Sequence, residues 1–94
     1  MPEVYFKVQL PDGLTRECYS PSGVVRRYFN PGDEMPMTEF AARSRKALAE
    51  ASERVRAKFG FACSSAAAQL AEIEEWASAY PGEATMRIID MSKP

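Results

Sequence analysis

Two cysteines, Cys18 and Cys63, are the residues of this chain best suited to covalent chemistry. A thiolate is a nucleophile, and the partial positive charge at a helix start favours it, so Cys63 is the stronger candidate if a helix begins there. The chain contains no histidine, which excludes a Ser-His-Asp triad, a Cys-His pair and zinc sites that need imidazole. We expect free thiols, each with a structural, catalytic or redox role.

Arginine and lysine side chains concentrate in the middle of the sequence. Residues 24–58 carry a net charge of +3 and residues 59–94 a net charge of −3, although the whole chain carries −1. The overall balance excludes binding to nucleic acid by charge alone. Arginine suits bidentate contacts with carboxylate or phosphate, so these side chains form either a binding surface or a solvated helix face. The candidate binding residues among them are Arg26, Arg27, Arg43 and Arg54.

Hydroxyl groups follow both cysteines along the chain. Tyr19 and Ser20 come after Cys18, and Ser64 and Ser65 come after Cys63. Serines at a helix start either cap the helix or, with the free backbone N–H groups, bind an anion. These four residues therefore join the arginines as candidates for contacting a ligand or a partner.

The first third of the chain reads as a β-hairpin. Alternation of apolar and polar residues predicts a strand over residues 4–10, and Pro11-Asp12-Gly13 predicts a turn into a return strand over residues 14–19. Ser20 or Ser22 would cap a short helix through residues 24–29, a segment that is also compatible with extended backbone. The prolines that follow predict a loop up to Met37.

Two helices and a final strand complete the pattern. Thr38 is the predicted N-cap of a helix that runs to Phe59 with its apolar residues on one face, and Gly60 would end it. Ser64 or Ser65 would cap the second helix, and residues 85–91 read as a strand. The second helix carries three glutamates and no lysine or arginine, which favours an αα-hairpin over a DNA-binding helix-turn-helix.

The order of these elements predicts an α+β fold. We expect a three-stranded antiparallel sheet, made of the N-terminal hairpin and the C-terminal strand, with two main helices packed on one face. One domain over residues 1–94 is expected, because 94 residues are too few for two domains. We expect a location in the cytoplasm, because no signal peptide or membrane segment is visible. No metal, cofactor, nucleic acid or membrane is expected as a partner, and the open sheet edges would allow a homodimer.

Two stretches of sequence carry a resemblance to a known family. Residues 17–22 (ECYSPS) and residues 51–69 (ASERVRAKFGFACSSAAAQ) resemble segments of small bacterial nitrogen starvation response proteins. The resemblance extends over nearly the whole chain. The resemblance implies a gene cluster with a nitrilase, a radical SAM protein, an acetyltransferase, a flavin-dependent oxidoreductase and an aminoimidazole-ribonucleotide-synthetase-like protein, and a link to nitrile or cyanide nitrogen. It supplies no catalytic residues, although both cysteines lie inside the two stretches.

These observations lead to one main functional expectation and two alternatives. The main expectation is a non-catalytic accessory protein that binds a protein partner from the same gene cluster, through the arginines and residues 18–30. The first alternative is an enzyme or carrier that uses Cys63, with or without Cys18, on a nitrile-like or acyl group. The second alternative is a homodimeric small-molecule sensor.

Overall fold

The computed structural model describes residues 3–61 and 63–92 of the chain. Four strands, two α-helices and one 3₁₀ helix lie within these residues. In chain order they are β1 (Val4–Gln9), β2 (Thr15–Ser20), the 3₁₀ helix (Gly23–Arg27), β3 (Glu34–Pro36), α1 (Met37–Phe59), α2 (Ser64–Ala79) and β4 (Thr85–Ser92). The prediction of an α+β fold with an antiparallel sheet and two main helices is confirmed.

The sheet of the described residues has four strands, so the prediction of three strands is wrong. The strand order is β2-β1-β4-β3, and each neighbouring pair is antiparallel. The additional strand, β3, lies in the segment predicted as a loop and pairs Met35 with Met86. β3 has only three residues, so it shows no strand pattern of its own. It ends at Pro36, which lacks an N–H group and is therefore suited to a sheet edge. Its partner lies far along the chain.

One face of the sheet is buried under the helices. Val4, Phe6 and Val8 of β1 are buried, while the residues between them point to the other face, as the alternation predicted. Phe29 follows the 3₁₀ helix and lies between Phe6 and Phe40, with ring centroids 5.8 and 5.4 Å apart. This row of three rings joins the sheet to α1.

The start of α1 differs from the prediction, because Thr38 is not the N-cap. The helix begins at Met37, after Pro36, which makes no side-chain capping bond. The backbone N–H groups of Met37 and Thr38 donate instead to the carbonyls of Ala84 and Gly82, at 2.8 and 3.0 Å. The Thr38 hydroxyl also donates to the Gly82 carbonyl, at 2.9 Å. The turn before β4 therefore satisfies two of the free N–H groups of this helix start.

The predicted serine cap of α2 is also wrong, whereas the cap of the short helix is correct. Cys63 is the N-cap residue of α2 and makes no side-chain capping bond, and Ser64 is already helical. In the 3₁₀ helix, the Ser22 hydroxyl accepts a 3.2 Å hydrogen bond from the Val24 N–H. The short helix predicted after residue 22 is thus present, as 3₁₀ rather than α-helix.

The two edges of the sheet are different. At one edge, β3 is short and ends in proline, two features that discourage pairing with another chain. At the other edge, α2 packs beside part of β2. Dimerisation through these edges stays a prediction.

Within the described ranges, neither helix is both long enough and apolar enough to cross a membrane.

Candidate functional site

The two sequence stretches that resemble the family meet at one corner of the fold. The backbone N–H of Tyr19, in β2, donates a 3.0 Å hydrogen bond to Oε1 of Gln69, in α2. Nε2 of Gln69 donates in turn to Glu72, at 3.0 Å. Because β2 is an edge strand, its outward N–H groups lack a strand partner, and the buried Gln69 side chain supplies one. Helix α2 is thereby fixed against the edge of β2.

An apolar groove of about 340 Å³ lies between the end of β2 and the turn that joins the two helices. Two phenylalanines dominate it: Phe59 and Phe61 are 52% and 66% exposed, and their ring centroids are 6.3 Å apart. They flank Gly60, which ends α1 with a φ of 83°. We call this the aromatic groove, and its lining residues are Glu3, Tyr19, Pro21, Val55, Phe59, Phe61 and Cys63.

A second and more open groove, of about 570 Å³, adjoins the first and shares Glu3 and Tyr19 with it. Tyr5 and Tyr19 face each other from β1 and β2, with ring centroids 5.6 Å apart in an edge-to-face arrangement. Burial, followed by the nearby Glu3 carboxylate, raises the pKa of Tyr19 to about 12, so its phenol stays protonated at neutral pH. We call this the tyrosine groove, and its lining residues include Glu3, Tyr5, Tyr19, Ser65, Gln69 and Glu72.

The two thiols lie in different environments. Cys18 points from β2 into the core and is fully buried. Burial, helped by the carboxylates of Glu72 and Glu17, raises the pKa of the Cys18 thiol far above its ordinary value. Cys63, by contrast, is half-buried and lines the aromatic groove. Both thiols are free, and Cys63 is the one that a ligand in the groove would meet.

The predicted arginine surface is largely neutralised by the chain's own carboxylates. The ion pairs are Arg27 with Glu50, Arg54 with Glu50, Arg43 with Glu39, and Arg45 with Glu74. The Arg45–Glu74 pair is bidentate, with N···O distances of 2.8 and 2.6 Å, and it joins α1 to α2. Such exposed pairs add little stability, but they reduce the charge left for an external anion. Arg26 is exposed and forms no ion pair among the described residues.

The candidate serines also divide by accessibility. Ser20 is fully buried, and its hydroxyl donates to the Ser22 carbonyl at 2.7 Å, which shapes the turn after β2. Ser64 and Ser65 are exposed at the start of α2, and Ser65 lines the tyrosine groove. Only the serines of α2 are therefore placed where a ligand can reach them.

Of the predicted site residues, the structure brings Tyr19, Cys63 and Ser65 together at the two grooves. The candidate arginines lie outside both linings, and Ser20 is buried. Sequence reasoning missed the exposure of Phe59 and Phe61 at the groove, since Phe59 falls at core spacing along α1. The available signal was a phenylalanine on each side of a glycine that ends a helix. Within residues 3–61 and 63–92, no three cysteine, aspartate or glutamate residues cluster in a way that could hold a metal ion.

Comparison with known proteins identifies a family. The profile of the nitrogen starvation-induced protein NitG family matches residues 5–91, which include both sequence stretches that meet at the grooves. No curated protein and no solved structure gave a significant match. The match covers nearly the whole chain and agrees with the resemblance in residues 17–22 and 51–69. The chain therefore belongs to the NitG family of nitrogen starvation-induced proteins.

Proposed function

We propose that this chain is a non-catalytic accessory protein that binds a protein partner during nitrogen starvation. The expected partner is an enzyme encoded in the same nitrilase-containing gene cluster, which would connect the chain to the use of nitrile or cyanide nitrogen. Membership of a nitrogen starvation-induced family supports the physiological setting. The molecular part of the proposal rests on the aromatic groove.

The exposed pair Phe59 and Phe61 is the observation that carries partner binding. Each residue is more than half exposed, and the two rings, with centroids 6.3 Å apart, line an apolar groove. Contiguous exposed apolar surface is unfavourable in water, and aromatic anchors commonly dominate the energetics of protein interfaces. A partner side chain that fills the groove would remove this surface from water.

The charges near the groove define the chemistry of the partner. The last two turns of α1, which supply Val55 and Phe59 to the lining, also carry Arg54, Arg56 and Lys58, and all three cations are exposed. The Lys58 ammonium lies 5.7 Å from the centre of the Phe59 ring. The complementary partner is therefore a protein segment with an apolar or aromatic side chain flanked by acidic residues. Of the arginines predicted from the sequence, Arg54 lies in this group, although it also pairs with Glu50 at 3.9 Å.

A pull-down from nitrogen-starved cells with two matched baits tests this proposal. Phe61→Ser removes the most exposed ring of the groove, and Leu14→Ser removes an exposed apolar side chain, 52% exposed, at the β1–β2 turn. We expect the wild type and Leu14→Ser to capture the same gene-cluster enzyme, and Phe61→Ser to lose it. In the purified complex, Cys63 should also react more slowly with maleimide than in the free chain. Capture of the same enzyme by Phe61→Ser, or recovery of the bait alone from native and cross-linked lysates, would overturn the proposal.

Chemistry at Cys63 is the alternative function, favoured by the position of this thiol in the groove lining. The thiol would add across a nitrile C≡N bond, with its sulfur bonded to carbon and its proton transferred to nitrogen, giving a thioimidate. Cys63→Ser keeps the approximate shape of the side chain while replacing the thiol by a hydroxyl, a far weaker nucleophile. Under the accessory function, Cys63→Ser restores growth of a deletion strain on limiting nitrogen, whereas Phe61→Ser does not. The opposite result would favour the thiol chemistry.

A further inference from the structure

We propose that the tyrosine groove is a binding site for an organic cation, an ammonium or guanidinium group carried on carbon. The groove combines aromatic ring surface with carboxylates, and none of the described residues that line it is a lysine or an arginine. The lining of its neighbour, the aromatic groove, shares Glu3 but is otherwise mostly apolar, so the tyrosine groove is the one with two carboxylates.

The aromatic part of the site is the cross-strand pair Tyr5 and Tyr19. These residues lie opposite each other in the register of β1 and β2, on the face of the sheet that the helices leave uncovered. Both rings line the groove, in an edge-to-face arrangement with centroids 5.6 Å apart. The face of an aromatic ring attracts cations, and two rings at such an angle form two sides of a cage.

The acidic part of the site comes from Glu3 and Glu72, which both line the groove. Glu3 precedes β1, whereas Glu72 lies on α2, where Nε2 of Gln69 donates to it at 3.0 Å. The oxygen of the same amide is held by the Tyr19 N–H, so both ends of the Gln69 side chain are fixed and Glu72 is held beside the groove. A carboxylate that accepts one hydrogen bond retains free lone pairs for a cationic donor.

The electrostatic environment agrees with this geometry. After burial, the main causes that raise the pKa of Tyr19 and of Cys18 include the carboxylates of Glu3 and Glu72, respectively. The two carboxylates thus give the groove a negative potential. An anion would be repelled there, and a neutral apolar molecule would gain nothing from the carboxylates.

The cationic group that the site would bind can come from two sources. A small free amine or guanidine and the lysine or arginine side chain of a protein present the same cationic group. Because the groove is wide and open, selection would depend on charge and ring contact rather than on enclosure.

A titration of the isotopically labelled full chain, followed by amide NMR shifts, tests the proposal with charged and neutral probes of equal shape. Choline is compared with 3,3-dimethylbutan-1-ol, its uncharged carbon analogue, and with methylguanidinium. We expect saturable shifts of the Tyr5, Tyr19 and Glu72 amides with the two cations and none with the alcohol. Capped lysine and arginine amides identify the source: tighter binding than choline indicates a protein side chain, and weaker binding a free cation.

Variants on one helix provide the control. Glu72→Gln should weaken choline binding about two- to fivefold, the size typical of an exposed cation site. Glu75→Gln, on the same helix but outside the groove lining, should leave binding unchanged. Equal shifts with choline and with the alcohol, or equal affinity of Glu72→Gln and the wild type, would overturn the proposal. Since the purified chain is used alone, either result leaves the partner-binding proposal to its own test.

Discussion

The backbone N–H of Tyr19 and the side-chain oxygen of Gln69 are joined by a 3.0 Å hydrogen bond across 50 residues of sequence. This bond connects the edge strand β2 to helix α2 and holds together the two grooves on either side of Tyr19. It also occupies an outward N–H of β2, where another strand could otherwise pair. The buried Gln69 amide therefore helps to position α2, and with it Cys63 and Glu72, against β2.

Replacement of Gln69 by leucine tests this dependence. The change keeps the approximate volume of the side chain but leaves the Tyr19 N–H without its acceptor, so the free energy of unfolding should fall by about 1–2 kcal/mol. Urea unfolding measures the loss, and amide hydrogen exchange should accelerate at Tyr19. Glu72→Gln keeps the Tyr19 bond and should change stability by less than about 0.5 kcal/mol. Unchanged exchange at Tyr19 in Gln69→Leu would contradict the role assigned to the bond.

Residue patterns within single segments predicted most strands and helices of this fold. The features that these patterns missed depend on contacts between segments that are distant in sequence. The alternation along β1 reflects one buried face, which is a local property, and so the hairpin was predictable. β3 forms only because Met35 finds Met86 in β4, and the start of α1 is satisfied by the carbonyl of Gly82 rather than by its own threonine. Neither contact has a signal within the segment itself.

The candidate site shows the same division. The stretches around Cys18 and Cys63 meet at one corner of the fold, yet sequence could not tell which thiol is buried. It also could not distinguish Phe59, which is exposed, from the core residues of α1 that share its helical spacing. That distinction depends on where the helix ends relative to the sheet, which the left-handed turn at Gly60 fixes.

Gly60 should be intolerant of a side chain for reasons of backbone conformation alone. Its φ is 83°, which costs an L-residue about 1–2 kcal/mol, while a Cβ atom there would meet nothing within 4 Å. Gly60→Ala should therefore lower the free energy of unfolding by about that amount in urea titrations. Gly23→Ala is the matched control, because Gly23 has equal space and no positive φ, and it should be neutral or slightly stabilising. Equal effects of the two substitutions would refute the argument.

The central ring of the core should dominate stability among the phenylalanines. Phe29 is fully buried between Phe6 and Phe40, so Phe29→Ala removes contacts on both sides and leaves a cavity. A loss of about 3–5 kcal/mol is expected, which is a large share of the stability of a small domain. Phe61→Ala, at 66% exposure, should cost less than about 0.5 kcal/mol. Thermal unfolding of the two variants measures the contrast, and similar melting temperatures would be the contrary result.

Burial of Cys18 should make the fold sensitive to alkaline pH. The thiol titrates near 9.0 when unfolded, but burial raises its pKa in the folded chain well above that value. Above pH 9 the unfolded chain binds fewer protons than the folded chain, so stability falls as pH rises, with a slope that approaches about 1.4 kcal/mol per pH unit. Tyr19, Tyr28 and Tyr80 also have raised pKa values and add to the fall mainly above their ordinary value of 10.0, so the difference between Cys18→Ala and the wild type, rather than the whole slope, isolates the cysteine. Urea unfolding from pH 9 to 10 should show a shallower slope for Cys18→Ala than for the wild type, even though the variant starts from a lower stability. Cys63→Ser retains Cys18, so its stability should fall with pH as much as that of the wild type through this thiol. Parallel curves of stability against pH for Cys18→Ala and the wild type would show that the buried thiol is not responsible.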